Sequence, residues 1–403
     1  MKQSYIQSRR SLPIAFRFNG LVCAALMLAL IPIVPIVGVA LSVFFPDNGT
    51  IEHLANTVLS EYVSNTLLLA LGVSIGVLVI GTTTAWLVVM CEFPGRSFFE
   101  WALIVPLAIP AYIMAYAYTD LLSHPGLVQS TLRDITGLGP RDYWFPNVRS
   151  LGGAIMMFTL ALYPYVYLLA RNTFLEQSTC YTEVSLTLGR TRLQTFFEVS
   201  LPLARPASAG GVALALMETL ADYGTVAHFG VRTFTTGIYR AWYAMDDLIA
   251  AGQLATMLLA FVLVVVLAER AERRRSRFHN SRRVRELPRT RLSPAVASLS
   301  FAACLIPVLL GFIIPILMLL NLHFVDGHNL MSDRYGALIS NSLILAGTAA
   351  LAAVAAALII AYAARLSPGW LTGAAGRIAS LGYAVPGSVI AIGILLPICL
   401  LYT

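Results

Sequence analysis

Residues 182–202 read T-E-V-S-L-T-L-G-R-T-R-L-Q-T-F-F-E-V-S-L-P and form a polar interruption between two long apolar stretches. Apolar residues recur at a helical spacing through the second part of this stretch: Leu193, Phe196, Phe197 and Leu201. This spacing predicts a short amphipathic helix whose apolar side faces protein or the membrane surface. Gly189 separates that helix from residues 183–188, at a position where a positive φ angle is cheap only for glycine. The stretch therefore predicts two short helices joined by a rigid turn.

The spacing of Glu183, Gly189, Leu201 and Pro202 resembles the cytoplasmic coupling loop, or EAA loop, of ABC importer permeases. The stretch departs from that family in reading Glu-Val-Ser for Glu-Ala-Ala and in having Val199 in place of the usual Ile. The resemblance implies that residues 176–205 dock into a groove of a separate ATP-hydrolysing subunit. The loop residues concerned are Glu183, Gly189, Leu193, Phe196, Phe197, Leu201 and Pro202. On this spacing alone, an ordinary interfacial loop between two membrane helices is the alternative.

The composition is that of a polytopic membrane protein, because 58% of residues are hydrophobic and only 12% are charged. The net charge of +7 does not indicate nucleic-acid binding, since most basic residues lie beside apolar spans, as the positive-inside rule requires. Nine membrane-spanning helices are predicted: 21–45, 62–90, 98–122, 151–170, 205–222, 248–268, 296–322, 338–364 and 377–402. The sequence thus predicts an all-α transmembrane bundle.

Loop charges indicate the orientation of the chain in the membrane. The loop 46–61 holds three acidic residues and no Lys or Arg, which predicts an external position, whereas residues 171–205 carry four arginines and are predicted to be cytoplasmic. The N-terminus is then also cytoplasmic. The Gly- and Pro-containing segment 123–150 is predicted to lie outside, either as a passive loop or as a surface that receives a soluble binding protein.

An internal repeat predicts two related halves. Residues 64–70, S-N-T-L-L-L-A, align with residues 340–346, S-N-S-L-I-L-A, at an offset of 276, and the same offset pairs Ala108-Ile-Pro with Ala384-Val-Pro. The repeats are parallel, so we expect residues 1–268 and 293–403 to be pseudo-equivalent halves. The basic segment 269–292 is predicted to be a cytoplasmic linker that contacts anionic lipid. The same offset from Glu183 falls beyond Thr403, so the second half is expected to be incomplete.

Several enzyme and metal signatures are missing from the sequence. Lys2 is the only lysine, so the chain contains no Walker A loop, and ATP hydrolysis is expected on a separate subunit. Neither an H-E-x-x-H motif nor a G-x-S-x-G elbow occurs, and the five cysteines form no close pair. We therefore predict a transport subunit that is not itself an enzyme and that binds no cofactor of its own.

Two acidic residues lie in or just after the fifth predicted span. Glu218 and Asp222 are four residues apart and share one helix face, and Tyr223 follows them. Carboxylates in an apolar span tend to face a water-filled path, and their oxygen atoms suit hard cations. These three residues are the predicted translocation path. The alternative is that Asp222 caps the helix and Glu218 forms a hydrogen bond to a neighbouring helix. We prefer this alternative to direct contact of the two carboxylates with a metal ion.

The sequence Glu218-Thr-Leu-Ala-Asp222-Tyr-Gly, followed by H-F-G at 228–230 and T-F-T-T-G-I-Y-R-A-W at 233–242, resembles the ferric-iron ABC importer permeases. The resemblance covers nearly the whole chain and implies the type I importer permease fold with two fused halves. It also implies an inner-membrane location, a periplasmic ferric-iron-binding protein and ATPase subunits as partners. Three alternatives remain: a permease for thiamine, a polyamine or an oxyanion; an ion-coupled secondary transporter; and a non-transporting membrane protein.

Overall fold

The computed structural model of the chain describes residues 20–139, 142–176, 184–185, 187–275, 289–326, 333–382 and 385–402. Its contacts divide the chain into two compact units. The larger unit contains Pro35–His328 and Tyr383–Thr403, and the smaller unit contains Met1–Val34 and Asn329–Gly382. The predicted boundary between halves at residues 269–292 stays a prediction from the repeat.

The described elements are almost entirely helical. They are α1 Gly20–Leu41, α2 Thr50–Thr57, α3 Leu59–Met90, α4 Arg96–Ala102, α5 Ala111–Leu122, α6 Leu127–Thr136, α7 Leu151–Glu176, α8 Arg192–Thr195, α9 Leu201–Ala221, α10 Gly224–His228, α11 Phe234–Tyr243, α12 Leu248–Arg275, α13 Pro294–Val308, α14 Ile314–Asp326, α15 Asp333–Leu366, α16 Trp370–Leu381 and α17 Gly387–Tyr402. Short 3-10 turns occupy Ser42–Phe44 and Val105–Ala108, and π turns occupy Phe196–Ser200 and Leu309–Ile313. Two strands of two residues each, β1 Cys91–Glu92 and β2 Thr290–Arg291, pair in parallel.

Seven of the described helical segments are long and apolar enough to cross a membrane. They are Gly20–Phe44, Leu59–Met90, Leu151–Glu176, Phe196–Ala221, Leu248–Glu272, Pro294–Val325 and Arg334–Leu366. The bent pair Arg96–Ala108 and Ala111–Thr136 would make an eighth, and Gly387–Cys399 is a shorter apolar helix. The prediction of a polytopic helical bundle is therefore confirmed.

The third predicted span, 98–122, is not one continuous helix but a bent pair of helices. The chain bends by 90° between its two helical parts, at residues 109–110. Pro106 and Pro110 account for the break, because proline lacks a backbone N–H and disfavours helical geometry in the residue before it. Two other boundaries also differ from the prediction. The fifth span begins before residue 205, at Phe196, and the predicted span 377–402 is divided between α16 and α17.

In the larger unit, α7 is packed closely on two sides by glycine-containing helices. Gly81 of α3 and Gly211 of α9 both face Val166: an added Cβ would lie 2.7 Å from Val166 Cβ in the first case and 2.6 Å from Val166 Cα in the second. Gly72 and Gly76 of α3 make similar close contacts with side chains of α7. Small residues at membrane-helix contacts let the backbones approach closely, which is the main source of packing energy in lipid. These contacts hold α9, which carries the candidate site residues, in place.

In the smaller unit, α15 and α16 form the predicted eighth span and the short helix that follows it. The turn between them is closed by Thr372, whose hydroxyl accepts a hydrogen bond from the Gly369 N–H at 3.2 Å. The same hydroxyl donates to the Ser367 carbonyl at 2.9 Å. The α15 helix contains the second copy of the S-N-x-L repeat.

In the larger unit, Asp247 joins the loop before α2 to the start of α12. Its side chain is 2% exposed and accepts hydrogen bonds from the Asn48 N–H at 3.1 Å, the Thr50 hydroxyl at 2.7 Å and the Ala250 N–H at 2.9 Å. Burial acts to raise the pKa of this carboxyl group, but the hydrogen bonds together hold the pKa below its ordinary value. Asp247 is thus the N-cap of α12, and its buried carboxylate also connects the start of α12 to residues 48–50.

Replacing Asp247 by Ala is expected to lower the free energy of unfolding at pH 7 by about 2 kcal/mol, because three donors lose their acceptor. A depressed pKa in the folded state means that this contribution is present above the unfolded pKa, near 4, and is lost as the pH falls through the lower folded value. The unfolding midpoint in detergent, measured at pH 7 and below pH 4, tests both statements. Asp134→Ala, at an exposed carboxylate of α6, is the control. An unchanged midpoint for Asp247→Ala at pH 7 would contradict this assignment.

Candidate functional site

The predicted turn at Gly189 is present. Residues on either side of the undescribed position 186 form a helical turn, in which the Leu188 N–H donates to the Val184 carbonyl at 3.0 Å. Gly189 follows with a φ of 81°, and the Arg190 N–H donates back to the Ser185 carbonyl at 3.1 Å. The second of these bonds is the outer bond of a Schellman helix end, in which glycine supplies the left-handed residue. The prediction of a positive φ at Gly189 is confirmed.

The helix after the turn begins with a capping box that the sequence reading missed. The Gln194 side chain accepts a hydrogen bond from the Thr191 N–H at 2.8 Å, and the Gln194 N–H donates to the Thr191 hydroxyl at 3.3 Å. The signal was available as Thr-x-x-Gln directly after the glycine and one arginine. It fixes the start of α8 three residues after the glycine.

A buried pair of hydroxyl groups connects the two sides of the turn. Ser185 Oγ lies 2.9 Å from Thr195 Oγ1, and both side chains are buried. Thr195 also donates to the Thr191 carbonyl at 3.0 Å, which leaves its oxygen to accept from Ser185. No periodicity in the sequence identifies this pair, because it joins residues ten positions apart through the turn. The pair holds the helical turn before Gly189 against α8. We call the described residues between 184 and 200 the elbow.

The predicted apolar face of the second helix divides between the interior and the surface of the chain. Phe196 is buried, with its ring centroid 5.0 Å from that of Trp86, but the adjacent Phe197 is 57% exposed. The helix is not separate either: α8 continues through the π turn Phe196–Ser200 into α9. Pro202 has no backbone N–H, so the helical hydrogen bond to the carbonyl of Glu198 cannot form. The missing bond lies at the π turn Phe196–Ser200. The predicted helix is instead the first part of a membrane span.

The elbow exposes three large apolar side chains. Leu188 is 76% exposed, and Val184 and Phe197 are also exposed. Leu201 and Pro202 are half-buried, and Arg190 forms an exposed ion pair with Glu198 at 3.2 Å, which contributes little to stability. Glu183 and the side chain of Leu193 lie outside the described residues. Exposed apolar side chains on a rigid loop are typical of a surface that contacts another protein.

Glu218 and Asp222 both line a cavity of about 200 Å³ beside the bend of the third span. Ile109 and Pro110 of the bend and Tyr165 of α7 lie around the same cavity. The repeat had singled out Pro110, but nothing in the sequence placed it beside the two carboxylates. The structure therefore brings two of the three predicted path residues together at an irregular point of the bundle.

Asp222 also has the capping role that the sequence left open. Its N–H donates to the Glu218 carbonyl at 3.1 Å at the end of α9, and its Oδ1 accepts from the Thr225 N–H at 2.7 Å at the start of α10. Tyr223 instead packs its ring against Tyr239, with a centroid separation of 4.1 Å, and is partly exposed. Within the described residues, no group of three His, Cys, Asp or Glu side chains is placed to hold a metal ion. A role for these three residues in translocation stays a prediction.

Residues 77–277 match the family described as binding-protein-dependent transport system inner membrane component. The matched region includes the elbow, the contacts of Gly81 and Gly211 with α7 and the cavity at Glu218. The chain belongs to this family. It is a multi-pass transport permease component of the inner membrane, as the predicted fold class and the resemblance to importer permeases required.

The relatives that are similar to the chain differ in the solute that their names give. The chain is 29% identical to the Fe(3+)-transport system permease protein FbpB 2 of Haemophilus influenzae, over 86% of this chain and 65% of that protein. It is 24% identical to the ferric transport system permease protein FbpB of Actinobacillus pleuropneumoniae, over 63% of this chain and 38% of that protein. It is 27% identical to the molybdenum transport system permease protein ModB of Escherichia coli, over 46% of this chain and 81% of that protein. The chain thus spans less than two thirds of the ferric relatives.

Proposed function

We propose that the chain is the membrane-spanning permease subunit of an ATP-driven ABC importer for ferric iron. The observation that carries this proposal is the elbow at 184–200, whose rigid turn exposes apolar side chains within the region that matches the permease family. ATP would bind to separate ATPase subunits, and their movement would reach the helices through the elbow and the continuous α8 to α9 segment. The N-terminus and the elbow would then both lie in the cytoplasm, as the loop charges predict.

The coupling step follows from the continuity of the helix. Because α8, the π turn and α9 form one unbroken segment, a displacement at the elbow would move the end of α9, which carries Glu218 and is followed directly by Asp222. Such a lever between two global states is a known means of transmitting a ligand-driven change. The elbow would thus link ATP binding to the cavity at the other end of the same helix.

Ferric iron is favoured as the cargo by two observations. A relative that is similar over 86% of this chain is named for Fe(3+) transport, and the cavity beside the bend is lined by two carboxylates. A periplasmic binding protein would deliver the ion. An oxyanion is the second candidate, since relatives named for molybdenum and sulfate transport also match part of the chain. Two carboxylates on the path would repel such an anion, which favours the cation.

Charge reversal at Glu183 tests the coupling assignment. Glu183→Arg is expected to reduce ATP-dependent uptake of radiolabelled ferric iron to background in cells that express the complete transporter, because the loop would present the wrong charge to the ATPase. Uptake of molybdate and sulfate, measured in parallel, tests the cargo. Glu52→Arg, at an exposed acidic residue of α2, is the control and should transport normally. Unchanged iron uptake by Glu183→Arg would remove the loop from the mechanism.

A further inference from the structure

A polar pocket of about 330 Å³ lies between the end of α5, the first turn of α6 and residues 143–149. This volume is within the range of small-ligand sites, roughly 300–1,000 Å³. The pocket is separate from the cavity at Glu218 and Asp222, with which it shares no lining residue among those described. By the loop charges, it opens on the external side of the membrane.

A fixed hydrogen-bond network forms one wall of this pocket. Gln129 is buried, donates from Nε2 to the Leu122 carbonyl at 2.9 Å and accepts from the Tyr143 hydroxyl at 2.9 Å. Arg133 donates to the same Tyr143 oxygen at 3.0 Å and to the His124 carbonyl at 3.0 Å. The wall is therefore held in one geometry before any ligand arrives, which lowers the entropic cost of binding.

The charge of the pocket is positive. Arg149 and His124 are on its lining, and the described lining residues include no Asp or Glu. Arg149 takes part in none of the ion pairs found in the described part of the chain. Burial of His228 lowers the pKa of its imidazole, and the positive charge of Arg149 lowers this pKa further. His228 lies at hydrogen-bond distance, 3.0 Å, from the hydroxyl of the pocket residue Thr119. The pocket thus presents an unneutralised guanidinium group beside polar side chains.

We propose that this pocket binds a carboxylate group, with Arg149 as its charged partner. The planar guanidinium group matches a carboxylate with two parallel hydrogen bonds, and Asn147 and His124 line the same space. The carboxylate has two sources: a free organic acid, or a Glu or Asp side chain of a protein docked on this face. The exposed Trp144 between two lining residues would then form part of the contact. Only the second source rests on the proposed import function.

Calorimetric titration of the full chain in phosphatidylcholine nanodiscs tests the binding without any transport. The probes are citrate, glutarate and N-acetylglutamate amide, which presents a single side-chain carboxylate, with chloride as the negative control. Saturable binding of at least one probe is expected. Arg149→Gln should weaken that binding about ten- to a hundredfold, and Arg149→Lys should weaken it less, because the charge remains without the planar fork.

Arg232→Gln is the matched control, since Arg232 is also an external arginine but does not line the pocket. Its guanidinium group pairs with the Glu61 carboxylate at 2.9 Å. The affinity of the Arg232→Gln variant for each probe should equal that of the wild type. Citrate or glutarate binding at least tenfold tighter than the amide would identify a free polycarboxylate as the ligand. Equal affinities for citrate, glutarate and N-acetylglutamate amide would identify a single carboxylate group as the ligand, of the kind that a docked side chain presents. No saturable binding of any probe, or equal affinity in Arg149→Gln and the wild type, would overturn the proposal while leaving the import function untouched.

Discussion

Gly211→Leu is expected to lower the stability of the larger unit severely. A Cβ at this position would lie 2.6 Å from Val166 Cα and 3.0 Å from the Tyr165 carbonyl oxygen, so the side chain meets backbone that cannot rotate away. Inserting atoms into a packed core costs about 1–3 kcal/mol, and a contact with backbone belongs at the upper end. We expect a loss of about 3 kcal/mol or a failure to fold, measured as the unfolding midpoint and the yield of monodisperse protein in detergent.

Gly347→Leu is the control for this substitution. Gly347 also lies within a membrane-spanning helix, α15, but an added Cβ there has no neighbour within 4 Å. Both changes place the same side chain in a helix, so they share the effect on helix propensity and differ in packing. A similar unfolding midpoint for the two variants would show that contact between α9 and α7 does not determine stability. Gly81→Leu, on the other side of Val166, should behave like Gly211→Leu.

The sequence was sufficient to predict the fold class because membrane spans depend on local composition. A run of about 20 apolar residues identifies a span without knowledge of its neighbours. The turn at Gly189 was equally local, since the left-handed φ depends on one residue. The capping box at Thr191 and Gln194 was just as readable and was missed only because the second helix was placed by its apolar residues.

The π turn of the seventh predicted span could not be predicted, because its contacts come from distant residues. The π turn Leu309–Ile313 is stabilised by Tyr118, whose hydroxyl donates to the Leu310 carbonyl at 2.7 Å. An added Cβ on Gly311, in the same turn, would lie 2.9 Å from the Leu160 carbonyl oxygen and 3.2 Å from a side-chain atom of Pro106, beside the bend of the third span. Non-helical backbone within a membrane is tolerated where protein buries it. The two irregular segments therefore support each other, although they are far apart in the sequence.

The bend also explains why the acidic residues of α9 were hard to interpret from sequence. The break at Pro110 ends the 3-10 turn Val105–Ala108 near the two carboxylates and leaves a cavity of about 200 Å³ there. The spacing of Glu218 and Asp222 gave their shared helix face, and only the fold gave the cavity that they share.

Glu218→Gln combined with Asp222→Asn is expected to reduce ferric-iron uptake at least about tenfold, because it removes two negative charges from the cavity with little change in volume. The amide oxygen introduced at position 222 could still accept from the Thr225 N–H, so the start of α10 should be preserved. Uptake is measured with radiolabelled ferric iron in cells, and the unfolding midpoint of the purified variant is measured in detergent. The midpoint should stay close to that of the wild type.

Glu61→Gln serves as the control, since it also removes an acidic charge but breaks only an exposed ion pair with Arg232. Its iron uptake should be unchanged. Normal iron uptake by the double variant would assign Asp222 to helix capping and leave the two carboxylates without a part in translocation. Increased uptake of molybdate or sulfate by the same variant would instead mean that the cavity lies on the path and that its charge selects cations. The double substitution thus distinguishes a role of the carboxylates in charge selection from a role in helix capping. Only charge selection depends on whether the transported ion is a cation or an anion.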